Sequence, residues 1–399
     1  MNLAERNLDF DKIIDRTNTD SLKYDFAVER GMPKGILPLW VADMDFQTSS
    51  YILDAISERV NHGIFGYSDT KDEYFETVSS WMDRRHGWKV EKDWMITTPG
   101  VVFALAMAVR AFTKEGEAVL IQQPVYYPFS RVVNDNKRKL VVSDIKLMDD
   151  NRYHMDLEDV ERKIVEDNVK MLMLCSPHNP VSRVWSKEEL CALGDICLKH
   201  NVIIMSDEIH ADFVYEDNKH YVLSDLKLEY SQITITATAP SKTFNIAGLQ
   251  VSNVFIPNKD MRRKFEEEIA AAGYSQINSL GIVACRAAYE HGEEWYQAML
   301  KYVKTNIDYV DEYLKNNIPS LKMIKPEGTY LVWIDFKELG LNDEELDSLV
   351  VNKAGLWLDG GTMFGESGSG FQRINVACPR KTLTKALDKL RDAVISMEK

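Results

Sequence analysis

The sequence ITITATAPSKTFN, residues 233–245, places a lysine shortly after a run rich in β-branched residues. Such a run is typical of a β-strand, and the Pro-Ser that precedes Lys242 marks a break after it. An amine at a strand end inside a pocket loses part of its hydration, which lowers its pKa and makes it a nucleophile for an aldehyde. Lys242 is therefore the first candidate functional residue; the alternative is a solvated surface lysine.

Two apolar runs upstream end in polar residues in the same way. Residues 169–175 lead into Ser-Pro-His-Asn-Pro, which contains Asn179, and residues 202–206 lead into Asp-Glu-Ile-His, which begins with Asp207. From about residue 95 to residue 257 such runs alternate with helical patterns, which predicts βαβ units and a mostly parallel sheet. Because ligands of open α/β sheets bind beyond the carboxyl ends of the strands, we expect these polar residues to converge.

The remainder of the chain predicts a second, smaller domain. A chain of 399 residues is too long for one ordinary compact domain. After about residue 285 the pattern becomes a long amphipathic helix over residues 293–316. A strand over residues 330–336, a glycine-rich stretch and a final helix from about residue 381 follow. Between residues 169 and 206, Ser186 and Glu189 have the spacing of a capping box that opens a structural helix.

Composition and charge exclude several classes of protein. The formal net charge is −14, with the acidic residues spread along the chain, which argues against nucleic acid or an anionic membrane as the main partner. The five cysteines form no CxxC pair and no zinc-like spacing, so we expect neither a disulfide framework nor a metal site. With no leader pattern and no run of about 18 apolar residues, we expect a soluble cytoplasmic protein.

Three candidate residues have the chemistry to hold a pyridine ring. If the aldehyde belongs to a cofactor with a protonated pyridine ring, the ring nitrogen needs a nearby anion. Asp207 is placed for that role, although it could instead be a helix N-cap. Asn179 could donate to a phenolate oxygen on the ring, although Asn-Pro is also an ordinary turn signal. Tyr126 follows Gln-Pro-Val after another strand, so its ring could stack on the pyridine or simply be a rim aromatic.

Two further stretches have the chemistry to bind anions. Thr-Thr-Pro-Gly leads directly into a helical pattern, so the backbone of Gly100, Val101 and Val102 would offer free N–H groups and a favourable dipole to a phosphate. Near the C-terminus, Arg373 interrupts an apolar alternation, where its guanidinium could clamp a substrate carboxylate. The alternative is an exposed strand residue on the wet face of a small sheet.

Asn179, Asp207, Lys242 and Arg373 together resemble, in order and approximate spacing, the fold-type I pyridoxal-phosphate enzymes of the aspartate aminotransferase superfamily, over nearly the whole chain. The resemblance implies pyridoxal 5'-phosphate, held by Lys242 as a Schiff base. It implies an α/β fold with a large domain built on a mostly parallel seven-stranded sheet and a smaller α+β domain. The implied division is an N-terminal segment (residues 1–45) that packs with the small domain, a large cofactor-binding domain (46–288) and a small domain (289–399).

The resemblance is closer to the MalY/PatB-type carbon–sulfur β-lyases, which are similar to cystathionine β-lyase. It rests on RTNTDSLKYD at residues 16–25, WVADMDF at 40–46, FGY at 65–67, SDEIH at 206–210 and SKTFN at 241–245. By similarity, Tyr67 would reach the cofactor phosphate of a neighbouring subunit, which implies a homodimer with shared active sites. The same resemblance implies that Ala42 joins Arg373 in binding the substrate.

Two positions depart from the aminotransferase pattern. Many aminotransferases have a tyrosine three residues after the aspartate and an arginine eight residues after the lysine; this chain has His210 and Gln250. Both departures resemble the lyase branch, where His210 would be a cofactor-binding residue. The phosphate would then depend on Ser241, Thr238, the backbone of residues 100–102 and the neighbouring subunit's Tyr67.

The activity implied by the resemblance is α,β-elimination of L-cystathionine or a related L-cysteine S-conjugate to a thiol, pyruvate and ammonia. Lys242 would be the base for the α-proton, with Asp207 and Tyr126 as the other catalytic groups and Arg373 gripping the carboxylate. An aminotransferase shares every step up to proton removal and is the alternative enzyme. A ligand-sensing regulator that keeps the fold and cofactor is a third reading, and the preferred substrate cannot be read from the sequence.

Overall fold

The chain alternates strands and helices through its middle and adds smaller groups of elements at both ends; the computed structural model describes residues 8–215 and 218–397. The strands are β1 (Leu37–Pro38), β2 (Met95–Thr98), β3 (Ala118–Gln123), β4 (Lys139–Asp144), β5 (Lys146–Leu147), β6 (Tyr153–His154), β7 (Met171–Cys175), β8 (Ile203–Asp207), β9 (Thr234–Thr238), β10 (Ser252–Phe255), β11 (Lys322–Met323), β12 (Leu331–Asp335), β13 (Leu356–Trp357), β14 (Asp359–Gly360) and β15 (Phe371–Asn375). The α-helices are α1 (Ser50–His62), α2 (Asp72–His86), α3 (Val101–Phe112), α4 (Pro128–Asp135), α5 (Leu157–Glu166), α6 (Lys187–Lys199), α7 (Leu223–Leu226), α8 (Leu228–Ser231), α9 (Pro240–Thr243), α10 (Lys259–Ala271), α11 (Ser279–His291), α12 (Glu293–Asn317), α13 (Asp343–Ser348) and α14 (Arg380–Ile395).

The main sheet has seven strands in the order β2-β10-β9-β8-β7-β3-β4. Strands β4, β3, β7, β8 and β9 are parallel, and β10 runs antiparallel to both of its neighbours. Every residue of β7 and β9 is buried because helices cover both faces of the sheet. The predicted mostly parallel seven-stranded sheet is confirmed.

The central strands begin slightly later than the sequence pattern predicts. The apolar run over residues 169–175 starts as a strand only at Met171, because the amide of Val169 donates to the carbonyl of Ile164 and closes the end of α5. Asp207 is the last residue of β8, paired with Cys175 and Ala237, and is not a helix N-cap. The carboxyl ends of β7, β8 and β9 therefore lie side by side.

The second sheet is antiparallel, with four strands in the order β11-β12-β15-β14. All of β15 is buried, so the alternative in which Arg373 lies on a wet face is wrong. The N-terminal segment joins this part of the structure: β1 pairs in parallel with β13, and the amide of Asp45 donates to the carbonyl of Ala377. The exact division at residues 45 and 288 stays a prediction.

The helices follow their sequence signals closely. The long predicted helix is α12, the final one is α14, and α3 begins at Val101 directly after Gly100. At the start of α6 both halves of the capping box form, because Ser186 Oγ accepts from the Glu189 amide at 3.1 Å and a Glu189 carboxylate oxygen accepts from the Ser186 amide at 2.8 Å. Within the described ranges, none of the helices combines the length and apolar character that crossing a membrane requires.

Candidate active site

A cavity of about 380 Å³ opens at the carboxyl ends of β7, β8 and β9. Most of the predicted site residues line it: Ala42, Gly100, Val101, Val102, Tyr126, Asn179, Asp207, His210, Ser241 and Lys242. The wall also contains Gln250, and it includes residues that the sequence did not single out, among them Cys175 and Ile209. Thr238, Tyr67 and Arg373 are not part of the wall.

Lys242 lies on the short helix α9, which follows β9. Its Nζ donates to the carbonyl of Ala42 at 2.8 Å. Desolvation lowers the pKa of this amine to about 8; the positive charge of Arg373 acts in the same direction, and Asp43 and Asp207 oppose it. At pH 7 roughly one amine in ten is therefore uncharged, and the uncharged amine is the form that reacts with a carbonyl group.

Asp207 presents an enclosed carboxylate to the same cavity. The carboxylate accepts a hydrogen bond from the amide of Ile209 at 3.1 Å and forms no ion pair within the described ranges. Burial raises the pKa of this carboxyl to about 7, although the Ile209 amide and Lys242 act against the increase. A positively charged N–H group in the cavity would supply the partner that this carboxylate lacks.

Asn179 lies in the loop after β7, with its backbone carbonyl accepting from the Tyr126 amide at 2.9 Å. Its side-chain oxygen accepts from Arg373 Nη1 at 2.9 Å, which leaves the amide nitrogen as the donor that can serve the cavity. The loop is anchored by a buried ion pair between Arg183 and Glu327. The orientation of Asn179 is thus fixed before any ligand enters.

His210 follows β8 and is buried in the cavity wall. Its Nδ1 has no hydrogen-bond partner among the residues that the structure describes. Burial lowers the pKa of the imidazole, and the nearby Lys242 and Arg373 act in the same direction, so the ring is neutral at physiological pH. A neutral imidazole carries one donor and one acceptor, and either can serve a polar group in the cavity.

The opposite end of the cavity suits an anion. Gly100 precedes the first turn of α3, and no side chain in the described part of the chain caps that end of the helix. The first amides of a helix have no intrahelical acceptor, so those of residues 100–102 are available to a phosphate. Ser241 and Gln250 lie in the same wall, whereas the hydroxyl of Thr238 donates to the Asn253 carbonyl at 3.4 Å.

Arg373 lies one side chain behind the cavity wall and is 2% exposed. Besides Asn179, its guanidinium contacts the carbonyl of Trp40 at 2.7 Å and forms an ion pair with Asp359. The guanidinium of Arg373, predicted to bind a substrate carboxylate, is therefore already in contact with three protein groups. No local pattern marks Asp359 as a site residue, because Asp359 and Arg373 meet through the antiparallel pairing of β14 with β15.

The N-terminal segment forms the side of the cavity nearest Lys242. The carbonyl of Ala42 accepts from the hydroxyl of Tyr330 at 2.8 Å as well as from Lys242. The side chain of Asn245 binds the backbone of Met44 and Phe46 through three hydrogen bonds of 2.9–3.0 Å. The motifs at residues 40–46 and 241–245 are thus two halves of one hydrogen-bonded unit, which sequence spacing could not reveal.

Tyr67 does not line this cavity and lies in the segment between α1 and α2. Its side chain is 99% exposed, and Ile64 and Phe65 beside it are also exposed. The role assigned to Tyr67 concerns a neighbouring subunit, so it stays a prediction.

Comparison with known proteins agrees with this arrangement. Residues 34–390 match the family model for aminotransferase class I and II. The chain is 40% identical over 387 residues to cystathionine beta-lyase PatB of Bacillus subtilis strain 168, covering 97% of this chain and 100% of the relative. It is 30% identical over 389 residues to protein MalY of Escherichia coli strain K12, with 97% and 98% covered.

Two solved structures are also similar to this chain over nearly its whole length. Cystalysin from Treponema denticola, whose crystal structure contains pyridoxal 5'-phosphate, superimposes with a TM-score of 0.95 at 37% identity, over 98% of this chain and 100% of that one. The pyridoxal-phosphate-bound C-S lyase from Staphylococcus hominis superimposes with a TM-score of 0.91 at 33% identity, covering 98% of each chain.

Proposed function

Because the chain belongs to the aminotransferase class I and II family, we propose that it is a pyridoxal-phosphate-dependent carbon–sulfur β-lyase. Its substrate is L-cystathionine or a related L-cysteine S-conjugate, and its products are a thiol, pyruvate and ammonia. The observation that carries the proposal is the joint position of Lys242, Asp207, His210 and Gln250 in one cavity wall. Lys242 and Asp207 supply the amine and the carboxylate that the family's chemistry needs. His210 and Gln250 stand where many aminotransferases have a tyrosine and an arginine.

The donor set of the cavity fits pyridoxal 5'-phosphate. The Lys242 amine suits the aldehyde, and the Asn179 amide suits the phenolate oxygen. The Asp207 carboxylate, which has no cationic partner among the described residues, suits a protonated ring nitrogen. The free amides at the start of α3 suit the phosphate. When bound, the cofactor supplies an electron sink for the electrons released at the substrate Cα.

The protein's own groups then divide the work. Lys242 would be the base for the α-proton, and its lowered pKa of about 8 leaves part of the amine uncharged at neutral pH. Burial raises the pKa of Tyr126, so its phenol stays protonated and acts as a stacking surface and hydrogen-bond donor, not as a base. Arg373, through its position beside Asn179, binds the substrate carboxylate, and Ala42 contributes its backbone on the same side.

We also propose that two copies of the chain form a homodimer with shared sites, in which Tyr67 of each copy contacts the phosphate bound by the other. The exposure of Ile64, Phe65 and Tyr67 on one segment supports this arrangement. Thr238 remains a proposed phosphate-site residue in the holoenzyme. Five unpaired cysteines support a reducing, cytoplasmic setting.

An aminotransferase is the second candidate, because the matching family model carries that description. The test is to incubate the protein with cofactor and L-cystathionine, without any keto acid, and to measure pyruvate and ammonia. A β-lyase releases both over many turnovers. Strict dependence on an added keto acid would show amino transfer instead.

A further inference from the structure

The Arg373 guanidinium is unusually crowded for a group that is to receive a substrate carboxylate. Its Nη2 donates to the Trp40 carbonyl at 2.7 Å and to the Asp359 carboxylate, and its Nη1 donates to Asn179. The ring of Phe364 covers one face, with its centroid 4.9 Å from Cζ. The Nε–H group has no partner among the described residues.

A carboxylate can grip a guanidinium with both oxygens along two edges. One edge uses Nε with Nη2, and the other uses Nη1 with Nη2. Both edges include Nη2, and both of its N–H groups are already given to Trp40 and Asp359. A substrate carboxylate that binds through two oxygens must therefore displace one of these two acceptors.

The Trp40 carbonyl is the harder of the two to move. The backbone is fixed on both sides of this carbonyl. On one side the Leu39 amide donates to the Trp357 carbonyl at 2.8 Å, and on the other the Val41 carbonyl accepts from Asn375 Nδ2 at 2.6 Å. The Asp359 carboxylate belongs to a side chain that can rotate, and its one hydrogen-bond partner within the described ranges is Arg373.

Electrostatics also favours displacement of the Asp359 carboxylate over displacement of the Trp40 carbonyl. Asp359 is 1% exposed, so a second carboxylate on the same guanidinium would place two like charges together away from water. Burial also raises the pKa of Asp359, although Arg373 opposes the increase. Protonation of Asp359 is therefore a second way to weaken its ion pair with Arg373. A neutral carbonyl creates no such conflict.

We propose that Asp359 is a resident competitor for the substrate carboxylate: it holds the Nη2 donor of Arg373 until the α-carboxylate of an amino acid takes it over. Asp359 thereby sets how tightly the site binds amino acids. It acts through Arg373 and does not line the cavity, so it is a positioning residue. The inference rests on the proposed function and names the determinant of its affinity for amino acids.

The test compares two ligands that differ only in the carboxylate. L-Alanine has no group to eliminate, and ethylamine is its counterpart without the carboxylate. Dissociation constants of both are measured on the holoenzyme from the change in visible absorbance. Asp359→Asn removes the charge with little change in shape, and we expect it to bind L-alanine about tenfold more tightly while ethylamine binds as before. The KM for L-cystathionine falls in parallel.

Asp347→Asn is the matched control. Asp347 accepts from Gln372 at 3.0 Å, so it lies beside the same strand without touching Arg373, and its replacement leaves both dissociation constants unchanged. If Asp359→Asn does not fold, Asp359→Ser removes the same charge and carries the same expectation.

Two results overturn the inference. Weaker L-alanine binding in Asp359→Asn would show that Asp359 only orients Arg373, and an unchanged ratio of the two constants would show that it does not compete. Failure of the proposed function looks different, because wild-type protein incubated with pyridoxal 5'-phosphate would then show no visible absorbance that either amine could change.

Discussion

Lys242 and Ala42, 200 residues apart in the chain, are joined by a hydrogen bond of 2.8 Å from the lysine amine to the alanine carbonyl. The bond holds the amine at the side of the cavity that the N-terminal segment forms. Because the same carbonyl also accepts from Tyr330, it stays in place when the amine leaves it. The lysine therefore has a fixed acceptor to which it can return whenever it is released from the cofactor.

The replacement Lys242→Ala removes both the amine that binds the cofactor and the base. We expect loss of the visible absorbance that depends on this amine and a fall in pyruvate release from L-cystathionine of about 10³-fold or more. Absorbance spectra and a coupled pyruvate assay measure the two effects. Lys301→Ala, at an exposed position on α12, is the control that keeps both. A coloured, active Lys242→Ala protein would contradict the assignment.

Capture of pyridoxal 5'-phosphate by the cofactor-free protein should depend on pH through Lys242. Desolvation lowers the pKa of the amine from an ordinary value of 10.5 to about 8, and the uncharged form is the nucleophile. The capture rate should therefore rise with pH and reach half its maximum near pH 8. Stopped-flow absorbance measures the rate, and a midpoint near pH 10 would show that the amine is not desolvated.

Asp207 should make the cofactor-free protein less stable as the pH rises. The pKa of Asp207 is about 7 in the folded state, against about 3.9 in an unfolded chain, so the folded state binds the extra proton between these values. The free energy of unfolding consequently falls as pH increases through this window.

Urea unfolding of wild type and Asp207→Asn at pH 5 and pH 8 isolates this effect, because the variant has no carboxyl to titrate. Relative to the variant, wild type should lose up to roughly 3 kcal/mol between the two pH values. Asp83→Asn, at an exposed position on α2, serves as the control. Parallel pH profiles for wild type and Asp207→Asn would refute the assignment. In the holoenzyme, Asp207→Asn should lower kcat because the ring nitrogen loses its anion.

Asp212 supports the helix that carries Lys242. Its buried carboxylate accepts from Thr243 Oγ1 at 2.6 Å, from Trp81 Nε1 at 3.2 Å and contacts His86 Nε2 at 3.1 Å. Burial alone would raise the pKa of Asp212, but hydrogen bonds from His86 and Thr243 outweigh it and the pKa is lowered. Asp212 is therefore ionised at neutral pH, and its carboxylate oxygens are hydrogen-bonded to Thr243, Trp81 and His86.

We expect Asp212→Ala to lower the free energy of unfolding by about 3–5 kcal/mol, since it leaves several buried donors without an acceptor. Thermal or urea unfolding measures the loss. Asp150→Ala removes an exposed carboxylate paired with His154 and should change stability by less than about 1 kcal/mol. Equal effects of the two replacements would show that the hydrogen bonds to Asp212 contribute no more to the free energy of unfolding than an exposed ion pair.

The sequence predicted the sites that depend on local order and missed those that depend on tertiary contacts. Lys242, Asp207 and Asn179 follow three strands directly, and parallel strands bring their carboxyl ends to one edge of the sheet, so their convergence was readable. Asp359 and Tyr330 reach the site through antiparallel pairing and a contact to the N-terminal segment, which no local pattern encodes. For the same reason the sequence carries no sign of the burial of Arg373 behind the wall or of its contact with Asn179.

The pairing of β1 with β13 determines when, during synthesis of the chain, the cavity around Lys242 can be completed. The carbonyl of Ala42 lies in a segment that is fixed by residues 356–377, and those residues leave the ribosome more than a hundred positions after Lys242. The lysine is therefore synthesised long before the wall it faces can close. Loading of the cofactor into a complete cavity is an event of the finished chain, after translation has reached the C-terminal strands.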